Sequence, residues 1–291
     1  MDLCNINELK PLLARHGFRF SKSMGQNFLI ASWVPERIAA ESGADRTCGV
    51  LEIGPGVGTL TRELCARAGR VVSVELDRAL LPVLEETLSD CPNGSVVSGD
   101  VMKLDLAALT AEKLEGLRPC VCANLPYNIT TPVLTRLLEA KLFCGLTVMV
   151  QREVAQRICA APGTKDYGAF SVFCQYHARC ERLFDVPPEC FLPAPKVTSA
   201  VVRMTPLAAP AVETADEDAF FAVVRAAFAQ RRKTLLNALS AAYGSRYSRD
   251  ALREVIDACG LSPDVRGERL GLGEFAALAD KLGGGQGEFP R

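Results

Sequence analysis

The stretch from residue 49 to 151 constrains the fold most, because short apolar runs alternate there with amphipathic segments of helical period. Runs at 49–53, 70–75, 95–98, 120–123 and 146–151 read as strands; 60–68, 79–88 and 132–140 read as helices, the last with Pro132 in a first turn that tolerates it. Strands separated by helices of this length are βαβ units, and they build a parallel sheet. Two later runs, 182–186 and 199–204, lie close enough in sequence to form an antiparallel pair closing that sheet. The expected class is α/β, a mostly parallel sheet with an antiparallel closing hairpin. Residues 205–211 then carry two prolines and small residues, as a linker does, and beyond them 217–242, 249–259 and 274–282 are helical. The chain therefore divides into a domain over 1–204 and a small all-α domain over 205–291, with a glycine-rich, flexible tail from Gly283.

Composition narrows the function classes. The chain has 291 residues, 48% hydrophobic and 23% charged, enough for one large core and a smaller one. Twelve cysteines are scattered without a C-x-x-C pair, and the two histidines, His16 and His177, are far apart, so neither a zinc site nor any other metal is expected. Most of the cysteines read as small apolar core residues in a reducing compartment. The amino-terminal residues lack the apolar core of a signal peptide and no stretch is long enough to span a bilayer, so the expected location is cytoplasmic, without a membrane partner, and the default state a monomer. A net charge of −1 argues against a uniformly basic nucleic-acid binder. Yet from Arg225 to Arg246 the charged residues are all basic, Arg231, Arg232 and Lys233 among them. Such a cluster holds phosphates or forms a solvated helix face.

Between the first strand and first helix lies Gly54-Pro55-Gly56-Val57-Gly58. Glycines there allow a sharp turn and close approach of a ligand to the main chain, which makes Gly54 and Gly56 cofactor candidates. Glu75 ends the second strand, placed to bind both hydroxyls of a ribose. A dinucleotide fingerprint requires glycine at position 59, where this chain has Thr59. Glu52, just before the turn, suits a ligand bearing an ammonium group, or serves as a local electrostatic partner. Asp100, after the third strand, can accept a hydrogen bond from an adenine amine, or be an ordinary turn residue. Asn124-Leu125-Pro126-Tyr127 follows the fourth strand, where crevices of open α/β sheets lie. Its amide oxygen and neighbouring carbonyls can accept from an exocyclic amine while Tyr127 stacks on the ring; the alternative is a plain strand-to-turn exit.

In this order, the glycine loop, Glu75, Gly99-Asp100 and Asn124 to Tyr127 resemble class I S-adenosylmethionine-dependent methyltransferases acting on adenine N6. Lys22-Ser23-Met24-Gly25-Gln26-Asn27-Phe28-Leu29, Phe191-Leu192-Pro193-Ala194-Pro195-Lys196-Val197 and Gln230-Arg231-Arg232-Lys233-Thr234-Leu235 are similar to motifs of the ribosomal RNA adenine N6,N6-dimethyltransferases. Tyr167-Gly168-Ala169-Phe170-Ser171-Val172 and the two later motifs look like the small-subunit branch, with Thr198 standing where that family commonly has Asp. The resemblance implies a Rossmann-like methyltransferase domain with a helical RNA-binding domain, S-adenosylmethionine as cofactor, and 16S rRNA in an immature small subunit as partner. Two adjacent adenosines near the 3′ end of that RNA are the implied targets. It carries cofactor contacts onto Asn27, Leu29, Gly54, Glu75, Asp100 and Asn124. Asn124 with the Leu125 or Pro126 carbonyl would hold the amine, Tyr127 and Phe191 would sandwich the base, and Arg231, Arg232 and Lys233 would hold RNA phosphates. Without its neighbours, Phe191 reads as a core aromatic. The competing readings are a large-subunit (23S) dimethyltransferase, a nicotinamide oxidoreductase, and an assembly factor that retains the fold without catalysis.

Overall fold

The computed structural model describes residues 1–21 and 24–283. Lys22 and Ser23, which begin the amino-terminal motif, and the tail beyond Gly283 lie outside the described residues. Two compact units form: Met1–Ala155 with Cys180–Pro206, and Gln156–Arg179 with Leu207–Arg291.

The first unit is built on seven strands, β2 (Cys48–Ile53), β3 (Arg70–Glu75), β4 (Gly94–Ser98), β5 (Arg118–Asn124), β6 (Leu146–Gln151), β7 (Ala178–Val186) and β9 (Ser199–Pro206), in the order β4-β3-β2-β5-β6-β9-β7. The five early strands are parallel, with Val50 opposite Val71 on one side and Cys120 on the other. β9 runs antiparallel to β6, Gln151 opposite Ser199, and lies between it and the edge strand β7, so the two late strands close that side. Every residue of β2 is buried, as expected of a strand covered on both faces. The connecting helices are α3 (Thr59–Arg67), α4 (Leu81–Thr87), α5 (Leu106–Lys113) and α6 (Thr130–Glu139). The 79–88 segment divides: Asp77 accepts from the Ala79 N–H and caps a short 3₁₀ turn, and α4 follows it. Val34 and Ile38 of α2 (Trp33–Glu41), Leu60 and Leu64 of α3, and Val50, Cys122 and Met149 of the sheet share one apolar cluster. Leu9 and Leu12 of α1 (Ile6–Arg15) join Phe28, Val57 and Leu84 in another. A two-residue ladder pairs β1 (Phe28–Leu29) with β8 (Phe191–Leu192), Leu29 opposite Phe191.

The second unit is helical: α8 (Ala169–His177), α9 (Glu217–Ala229), α10 (Leu235–Tyr243), α11 (Arg249–Ala258) and α12 (Leu272–Gly283), preceded by α7 (Arg152–Ile158), within which the division falls. Two sequence expectations change here. The boundary at 204/205 becomes discontinuous, because Val172 and Tyr176 of α8 are fully buried in the core of α9 to α12, with Tyr176 and Phe220 ring centroids 4.8 Å apart. The proline-rich connection is pinned rather than free: residues 205 and 206 belong to β9, and the Leu207 and Ala211 N–H groups donate to the His177 and Tyr176 carbonyls. The single helix expected over 217–242 breaks after Ala229. The Lys233 N–H turns back to the Gln230 carbonyl at 2.8 Å, and Thr234 caps α10 by accepting from the Asn237 N–H. The Arg231-Arg232-Lys233 run is thus a turn between helices, not a helix face.

Candidate active site

The strand order reverses at β2, which leaves a crevice at the carboxyl ends of β2, β3 and β5. A cavity opens there. Of the residues nominated from sequence, Asn27, Leu29, Gly54, Gly56, Glu75, Asp100, Asn124, Leu125, Pro126 and Tyr127 all line it.

The glycine turn shapes its floor. Gly54, Gly56 and Gly58 take φ of 69°, 62° and 89°, a region that side chains rarely adopt. A Cβ on Gly56 would lie 3.1 Å from the Phe28 ring, so the missing side chain lets the amino-terminal strap of residues 24–29 close over the turn. The strap is tied down by Gln26, whose Nε2 donates to Asp77 Oδ2 at 2.7 Å while its Oε1 accepts from the Ser21 N–H at 2.8 Å.

Acidic groups line the crevice. Glu75, 6% exposed, accepts from the Asp77 N–H at 2.7 Å; burial pushes its carboxyl above the ordinary range, and backbone N–H groups, those of Asp77 and Gly56 first, oppose that shift. Glu52, 1% exposed, takes the Thr61 and Ser73 hydroxyls on one oxygen at 2.6 and 2.7 Å. Burial outweighs both bonds and raises its pKa to about 7. Asp100 uses one oxygen on the Met102 N–H at 2.9 Å, and its other oxygen lies 3.9 Å from the ammonium of the exposed Lys103. Its loop is held from α6, where Arg136 donates to the Met102 and Leu104 carbonyls. Thr59, at the first turn of α3, lines the same cavity, and its buried hydroxyl has no hydrogen-bond partner among the described residues.

Opposite stands the Asn124 turn. The Asn124 Nδ2 donates to the Asn27 carbonyl at 3.5 Å, a long bond that turns the amide's nitrogen toward the strap. The Pro126 carbonyl is already taken, by the Ile129 N–H at 3.2 Å and the Thr130 hydroxyl at 3.1 Å. Tyr127 is half-buried, and its hydroxyl shares a 2.6 Å hydrogen bond with the Ser199 Oγ.

Phe191 is not brought to the cavity. It is 2% exposed, paired across the β1–β8 ladder and packed among Leu29, Val34 and Ile38, so its ring is core and offers no face to a base. Arg231 is engaged too: its guanidinium donates to the Lys165 carbonyl and, at 3.5 Å, to the Tyr167 carbonyl, and lies 3.4 Å from Glu268. Arg232 and Lys233 are exposed. Sequence reasoning missed Ser199, Gln26 and Arg136; Gln26 stood inside a recognised motif, whereas nothing in the sequence marks a hydroxyl at the start of a strand or an arginine in a helix. Among the described residues no group of three or more His, Cys, Asp or Glu is gathered to hold a metal ion, and no helix is long and apolar enough to cross a membrane.

The family model for ribosomal RNA adenine dimethylase matches residues 17–261. Proteins named ribosomal RNA small subunit methyltransferase A, from Geobacillus thermodenitrificans (strain NG80-2) and Bacillus mycoides (strain KBAB4), are 44% and 45% identical over 284 residues, 97% of each chain. The crystal structure of the 23S rRNA methyltransferase ErmE is 28% identical with a TM-score of 0.68, over 88% of this chain and 99% of that one. A dimethyladenosine transferase from Plasmodium falciparum, 22% identical with a TM-score of 0.72 over 86% of this chain and 95% of its own, shares the fold. With a family model that matches residues 17–261 and relatives 44–45% identical over 97% of its length, the chain belongs to the ribosomal RNA adenine dimethylase family.

Proposed function

We propose that the chain dimethylates N6 of two adjacent adenosines near the 3′ end of 16S rRNA, in an immature small subunit, with S-adenosylmethionine as methyl donor. The residues present fit that donor. Glu75 can take the ribose hydroxyls, the second Asp100 oxygen an adenine amine, and the orphaned Thr59 hydroxyl a polar group of the amino-acid end. The acidic lining suits a cationic ligand. When bound, the donor supplies a methyl group on a positively charged sulfur.

The single observation that carries the reading is the Asn124 amide. Because its nitrogen turns to Asn27, its oxygen is left as an acceptor at the end of β5, on a residue that lines the cavity. An adenine amine is a poor nucleophile while its lone pair is delocalised into the ring. Hydrogen bonds from the amine to the Asn124 oxygen and a main-chain carbonyl favour a tetrahedral nitrogen and align it for in-line transfer. With both lone pairs of the Pro126 carbonyl engaged, the second acceptor falls to Leu125. Tyr127 stacks on the base, contributing about 1–3 kcal/mol toward holding it out of its RNA stack. The methylated ammonium is acidic enough to release its proton without a dedicated base. Arg232 and Lys233 contact RNA phosphates from the helical unit, while Arg231 fastens the turn that carries them.

The small subunit is favoured over the large one by the names of relatives at 44–45% identity, against 28% for ErmE. The test is methyl transfer from labelled donor to small-subunit particles and to 23S-derived RNA, with mass spectrometry of the product nucleoside. N6,N6-dimethyladenosine confined to 16S rRNA is expected, and Asn124→Ala should leave donor binding measurable and lose transfer. Wild-type turnover by that variant would refute the role assigned to Asn124.

A further inference from the structure

The Pro193-to-Ser199 segment leaves one contact that the assigned roles do not use. Ser199 is fully buried at the first position of β9, fixed in register opposite Gln151, and the preceding Thr198 carbonyl accepts from the Arg152 N–H at 3.0 Å. Its Oγ lies 2.6 Å from the Tyr127 hydroxyl. Tyr127 is thereby held at both ends, by its backbone in the turn after β5 and by its hydroxyl on a different strand. A tyrosine fixed in this way has little freedom to rotate about its side-chain bonds, so the ring plane is set before a base arrives.

Building on the adenine-stacking reading above, we infer that Ser199 is a positioning residue for methyl transfer, setting the plane of the Tyr127 ring through the hydroxyl–hydroxyl bond. Ser199 is buried and does not line the cavity, so it acts through Tyr127 alone. A stacked base inherits the orientation of the ring beneath it. A ring free to swing would still bind the base and would present its amine to the methyl group in fewer productive encounters. The cost therefore falls on kcat rather than on donor affinity. Burial keeps the Tyr127 hydroxyl protonated well beyond neutral pH, so the bond persists through the working range.

The experiment is a double-mutant cycle on the full chain, with Ser199→Ala, Tyr127→Phe and the pair together, and Ser199→Thr as the conservative variant. Turnover on small-subunit particles and donor affinity by calorimetry are read for each. Losing one neutral hydrogen bond predicts a kcat lower by about threefold to tenfold in either single variant, at unchanged donor affinity. The pair should be no slower than either single, and Ser199→Thr should restore the rate. A pair whose loss is the product of the two singles overturns the inference, as does Tyr127→Phe turning over like the unaltered protein. The second of these outcomes is decisive even if Ser199→Ala does not fold. Absence of transfer by the unaltered protein would overturn the proposed function, and this inference with it.

Discussion

Glu52 offers the most quantitative test of the cavity's electrostatics. Its carboxylate is 1% exposed, two hydroxyls satisfy one oxygen, and burial still raises its pKa to about 7 from 4.5. The folded protein therefore keeps a proton that the unfolded chain has released. Stability from this group is full below the unfolded value and is lost as pH rises through the folded one. The whole shift corresponds to about 3 kcal/mol, of which linkage places about 2 kcal/mol between about pH 5.5 and about pH 8. Glu52→Gln keeps a carbonyl oxygen to accept from Thr61 and Ser73 and removes the titration. Urea unfolding of both proteins across that range should show the variant gaining about 2 kcal/mol relative to the parent by the alkaline end. Glu75 is also raised by burial, and its charge adds to the rise at Glu52, so the comparison reads the Glu52 titration together with that smaller repulsion. A difference between the two that does not change with pH would refute the argument that burial governs Glu52.

Gly56→Ala combines a φ of 62° with a methyl group 3.1 Å from the Phe28 ring, and should weaken donor binding by about tenfold or more as measured by calorimetry. Replacing Arg232 and Lys233 together by alanine should flatten the salt dependence of RNA binding, lowering the log–log slope by up to about 2, whereas Arg231→Ala should chiefly lower the melting temperature.

The parallel sheet was legible because its inner strands are buried on both faces and so appear as continuous apolar runs, as in Val71-Val72 or Val148-Met149-Val150, while the edge strand β4 has no buried residue. The crevice followed from residues at strand ends, since Glu75, Asp100 and Asn124 sit where the main chain delivers them, whatever surrounds them. Three matters depended on tertiary partners instead. The apolar face of 217–242 is continuous in sequence, and the start of the second helix is held from outside it by the Val265 carbonyl, which accepts from the Leu235 N–H. Phe191 stands in a recognised motif, but burial depends on the β1–β8 ladder, a pairing between segments far apart in the chain. Val172 and Tyr176 precede the expected boundary, and nothing local says that their partners lie beyond Pro206.

The β1–β8 ladder has a consequence for how the protein is made. One wall of the cavity, at Leu29, is clamped by a strand about 160 residues further along, and β9 must slot between β6 and β7 before the sheet is complete. Contacts this distant form late, since the intervening chain must be ordered first. A nascent chain can thus form β2 to β6 and the glycine turn early, while the cavity wall at Phe28 and Leu29 gains its partner strand only once residue 192 has been synthesised.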